Sequence, residues 1–118
     1  MTRIPERDRD MIETTMYLPM VLKILERDME IFDKGDFKLR RPYLELIEEA
    51  MKAVQKDLKL AKVHLRKENI SIAEVERDNE FTKYSFYYKG YEEFHSYFNP
   101  RLRNKCEELL KKYLKNEN

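Results

Sequence analysis

Two apolar seams constrain this chain more than anything else in it. Met11, Thr15, Leu18, Leu22, Leu25, Met29 and Phe32 recur in alternating steps of four and three. Ile47, Met51, Val54, Leu58, Ala61 and Leu65 do the same. That recurrence is the period of a helix with one face in a core, so each seam predicts a long helix. Pro19 lies inside the first seam, which keeps its phase across it, predicting one kinked helix rather than two. Gly35, in Asp33-Lys34-Gly35-Asp36, is placed to end that helix with a left-handed cap. Arg41-Pro42 opens the second helix with proline in its first turn.

Beyond Lys67 the period weakens. Ile70 and Ile72 alternate with polar residues, as in a short extended crossing or a loop. The stretch from Tyr84 to Pro100 then packs eight Phe or Tyr residues into its first fifteen positions. At about 100° per residue, Phe81, Tyr84, Tyr87, Tyr88, Tyr91, Phe94, His95 and Phe98 fall on one arc about 140° wide. They read as the core face of a third helix, from about Asp78 to Phe98. Asn99-Pro100 supplies a cap and a first residue for a fourth helix, which carries Leu102, Cys106, Leu109 and Tyr113 before the polar tail Lys115 to Asn118. Two glycines in the whole chain argue against many tight turns and against a phosphate-cradling loop. Charge alternates along the chain: net −3 over residues 1–33, +5 over 34–67, −4 over 68–99 and +3 over 100–118. In an up-down-up-down arrangement that pattern sets opposite signs on every neighbouring pair and disfavours wrong pairings. The expectation is one all-α domain over residues 1–118, an antiparallel four-helix bundle.

The same residues restrict function. Lys plus Arg (24) balance Asp plus Glu (23), so there is no global attraction to nucleic acid or anionic lipid. A single cysteine, Cys106, excludes an internal disulfide and favours a reducing, cytoplasmic setting. No run approaches the roughly 20 apolar residues that span a bilayer. Glu92-Glu93-Phe94-His95 contains the Glu-x-x-His spacing of di-iron bundles. The only other histidine, His64, has Ala61 three residues before it, so the ligand set is incomplete and no metal is expected. His95 is expected within the aromatic stripe, bonded to a tyrosine, and Cys106 as a small buried hydrophobe. With no Gly-x-Ser-x-Gly pattern and only solvated carboxylates, neither catalysis nor a cofactor is expected.

That leaves surfaces. Phe86 and Tyr97 project away from the aromatic stripe, on a line that also carries Gly90. A glycine inside a helix costs about 1 kcal/mol relative to alanine, and here it would let another helix approach between two aromatics. Phe86, Gly90 and Tyr97 are therefore the expected surface for a protein partner or for self-association. The alternative is nucleic-acid or phosphate binding at helix N-termini, where Arg101, Arg103 and Lys105 open the fourth helix and Arg40 and Arg41 the second. The lysines along the second helix, Lys52, Lys56, Lys59 and Lys62, read as a solvated face.

Three stretches, TRIPERDRDMIETTMYLPMVL, FKLRRPYLELIEE and YKGYEEFHSYFNPRLRNKCEELLKKYL, together resemble the YhjD-like family of small proteins from Bacillus and relatives. The resemblance covers nearly the full chain. It implies a bacterial, cytosolic setting and brings no activity and no catalytic residues with it. The function expected from the residues is that of a non-catalytic interaction or regulatory module.

Overall fold

The computed structural model describes residues 4–116; Glu117 and Asn118, the end of the polar tail, lie outside them. Both seams form the helices they predict. Helix α1 runs Glu6–Lys34 with Pro19 inside it, and α2 runs Arg41–Lys67 with Pro42 in its first turn. They pack antiparallel as a hairpin, burying Ile12, Leu18, Val21 and Leu25 against Ile47, Ala50, Val54 and Leu58. Gly35 does not take the left-handed conformation: its φ is −72°. A Cβ there would come within 2.5 Å of the Phe37 ring, which stacks on Phe32 with centroids 4.9 Å apart. Glycine serves that close approach, and the rings of Phe32, Phe37 and Tyr43 close the hairpin's tip.

The four-helix bundle is not formed. Residues 70–98 make a three-stranded antiparallel sheet in sequence order, β1 Ile70–Arg77, β2 Phe81–Tyr88 and β3 Tyr91–Phe98. Helix α3, Asn99–Leu114, follows directly, so the fold is α+β. The aromatic run is strand because Tyr, Phe and Thr suit a pleated surface. Thr82, Tyr84, Phe86 and Tyr88 point to the helices and are buried, whereas Phe81, Lys83, Ser85 and Tyr87 point away. Gly90 belongs to the turn between β2 and β3. Lys89 (φ 47°) and Gly90 (φ 94°) give that two-residue connection the positive φ values that match strand twist. Asp78 makes the other turn, its Oδ1 accepting from the amides of Glu80 and Phe81 at 2.8 and 2.7 Å. Those two amides hold its carboxyl below the usual range.

Asn99 is the first residue of α3 rather than its cap, and it ties helix to sheet. Its Oδ1 accepts from Thr82 Oγ1 at 2.7 Å and its Nδ2 donates to the Asp78 carbonyl at 3.0 Å. A hydrogen-bonded cluster fastens the sheet to the open end of the hairpin. Asp8 accepts from His64 Nε2 at 3.0 Å and from Tyr88 OH at 2.8 Å, joining α1, α2 and β2. These bonds, His64 first, hold the Asp8 carboxyl below its usual range, and the Tyr88 hydroxyl is raised by the same contact. The molecule is flat, 54 × 32 × 18 Å.

Candidate functional site

Helix α3 crosses one face of the hairpin. Cys106 Sγ lies 3.7 Å from Met20 Sδ on α1, and Tyr113 OH donates to Asp57 Oδ2 on α2 at 2.6 Å. These two contacts identify the covered face of each long helix. Ile24 and Ile31 follow Met20 by four and eleven residues, and Leu46 precedes Asp57 by eleven. Eleven residues are three turns plus about 20°, so all three side chains stand on α3's side of the hairpin, up to about 16 Å nearer its tip. There α3 no longer covers them. Ile24 is 36% exposed, Ile31 55% and Leu46 46%. Phe37, Leu39 and Tyr43 at the turn are exposed as well. Together they expose apolar surface of order a few hundred Å² on the tip half of the hairpin, a patch size that is often functional.

This apolar strip is bordered by charge. Lys23, Arg27 and Glu30 are exposed along its α1 side and Glu45 and Glu49 along α2. Arg41 pairs with Glu45 at 3.5 Å, whereas Lys23, Arg27 and Glu30 have no ion pair among the described residues. A second exposed apolar area lies on the sheet's outer face. Phe81 and Phe98 pair there with centroids 5.4 Å apart, and Lys83 Nζ sits 4.9 Å from the Phe94 centroid. Lys83, Ser85, Glu92 and Ser96 interrupt that area, and Ser85 donates to Glu92 at 2.7 Å.

The surface expected from sequence falls elsewhere. Phe86 is completely buried, stacked on His95 at 4.4 Å beneath the helices. Tyr97 shares that inner face but pairs in register with Thr82, four residues from Phe86, and its hydroxyl points to Glu13 at 3.4 Å. Gly90 is at the hairpin turn, with open space around it. The three do not form one surface, because the helical spacing that aligned them does not exist in strands. His95 is bonded to Glu93 at 2.9 Å rather than to a tyrosine. Cys106 is buried, and burial raises its thiol. Burial likewise pushes the Tyr17 hydroxyl up to about 12 and raises those of Tyr84, Tyr97 and Tyr113.

The basic residues are also separated. Arg40 and Arg41 border a shallow depression at the hairpin turn, where Arg40 donates to the Asp33 carbonyl. Arg101, Arg103 and Lys105 are exposed on the first turns of α3. Arg101 acts electrostatically on Tyr17, which lies about 25 Å along α1 from the turn. No group of three or more His, Cys, Asp or Glu is placed to hold a metal among the described residues. Nor is any described helix long and apolar enough to cross a membrane.

Ile24, Ile31 and Leu46 are the residues that sequence reasoning passed over. Their signal was present: isoleucines seven apart and off the main seam of α1, and leucines at 46 and 60 off that of α2.

The class defined by these elements is a small α+β domain, a long helical hairpin carrying a three-stranded sheet and one further helix. The YhjD protein family model matches residues 3–118, and the chain belongs to that family. It is 46% identical over 114 residues to "Uncharacterized protein YhjD" of Bacillus subtilis (strain 168), covering 97% of this chain and 95% of that one. No solved structure matches.

Proposed function

We propose that this protein is a non-catalytic protein–protein interaction module, cytoplasmic, that works through the tip half of its α1–α2 hairpin. We take the occupant of that face to be a second copy of the chain. The observation that carries the reading is the continuity of the apolar strip with the seam on which α3 packs. One face of the hairpin is covered by α3 as far as Met20 and Asp57, then runs on uncovered through Ile24, Ile31 and Leu46. A hairpin of two helices buries only their mutual seam, and apolar side chains off that seam gain by meeting further helices. Two such hairpins, face to face, complete a four-helix bundle. The cytoplasmic setting rests on the lone Cys106, a buried free thiol.

The test is Ile24→Asp with Ile31→Asp. The variant is expected to stay helical by circular dichroism and to elute from size-exclusion chromatography with light scattering as a monomer, while the parent elutes as a dimer. A folded variant with the parent's mass would remove the reading.

A further inference from the structure

The pattern of charge beside the strip is self-complementary. About the midpoint between Ile24 and Ile31, which falls between Arg27 and Asp28, the exposed Lys23 precedes and the exposed Glu30 follows along the same edge of α1. Turned end for end, the segment meets itself with isoleucine opposite isoleucine, and Lys23 of one copy falls about 3 Å along the axis from Glu30 of the other. An isologous two-fold contact requires just this, since residue i of one copy meets j of the other and j meets i.

Resting on the proposed self-association, we propose that the two α1 helices pair antiparallel about a two-fold axis passing between Arg27 and Asp28. Lys23 of each copy then faces Glu30 of the other, the two sharing one edge of the contact. Ile24 and Ile31 fill the contact beside these pairs. Two observations select this arrangement. Helix α3 fills the same face from Met20 toward the open end. With both tips at the same end, α3 would collide with α3; with tips opposed, each tip lies beside the partner's α3, in its layer. Lys23 and Glu30 are exposed and lack ion-pair partners among the described residues, so each is available to the other copy. In parallel pairing Lys23 would meet Lys23 and Glu30 would meet Glu30, a like-charge contact that disfavours that mode.

The experiment is a charge swap on the full chain, with Lys23→Glu and Glu30→Lys as separate variants. Each alone sets like charges opposite each other twice in its homodimer, and its dimer dissociation constant is expected to rise by about tenfold or more. An equimolar mixture restores both pairs, because Glu at position 23 meets Lys at position 30 and the native Glu30 meets the native Lys23. Sedimentation of the mixture is therefore expected to recover dimer to within about threefold of the parent. Circular dichroism of each variant confirms that α1 is intact. If each variant dimerises as the parent does while Ile24→Asp with Ile31→Asp is monomeric, the antiparallel register is wrong and self-association stands. If the isoleucine variant also dimerises, both claims fall.

Discussion

Replacing Asp8 by alanine tests the contact that holds the sheet on the hairpin. Asp8 is 9% exposed and receives two hydrogen bonds, from His64 at 3.0 Å and Tyr88 at 2.8 Å. A hydrogen bond to a charged group contributes about 1.5–3 kcal/mol, and these two share one acceptor group, so their removal costs about 2–3 kcal/mol. For a chain of this length that is a fall in Tm of about 8–12 °C. The effect depends on pH with a definite sign. The folded-state pKa of Asp8 is lowered from its ordinary 3.8, so its contribution is fully present above the unfolded value. It is lost as pH falls through the folded value. The gap in Tm between parent and variant should be present at pH 7 and shrink below pH 4. Thermal unfolding by circular dichroism at pH 7 and pH 3 measures both. A gap under about 2 °C at pH 7, or one that widens in acid, would refute the assignment of Asp8 as a charged acceptor.

Phe86→Ala removes a completely buried ring and should cost about 3–5 kcal/mol, measured by urea unfolding; a neutral effect would contradict its place beneath the helices. Gly90→Ala forces a side chain into positive φ and should cost about 1–2 kcal/mol in the same assay, despite the open space around the turn. An unchanged midpoint would contradict that turn geometry.

The helices were readable where one face is apolar and the other polar. Ile47 to Leu65 keep a single apolar stripe opposite lysines, and α2 forms within the limits it predicts. Residues 81–98 defeated the same logic because both faces of the sheet carry aromatics. Phe81 and Tyr87 point outward while Tyr84, Phe86 and Tyr88 point inward, which hides the alternation and leaves spacings that also fit a helix. The discriminating residues were Lys89-Gly90, midway between two eight-residue strands, and Asp78 before the β2 run. Taken as helix interior, Gly90 was a cost; as a turn it has the φ it needs. The contact between Asp8 and His64 joins residues 56 apart, and nothing in the local sequence announces it. The apolar strip was hidden differently. Ile24 and Ile31 lie off the α1 seam, and they read as a continuation of the face under α3 only once α3 is known to cross there.

The measurement that bears most directly on the account is the mass of the unmodified full chain by sedimentation equilibrium across micromolar concentrations at physiological salt. A chain of 14.5 kDa that pairs through the tip half of its α1–α2 hairpin should approach about 29 kDa, twice that mass, as concentration rises. A mass that stays at 14.5 kDa throughout would contradict self-association through the hairpin.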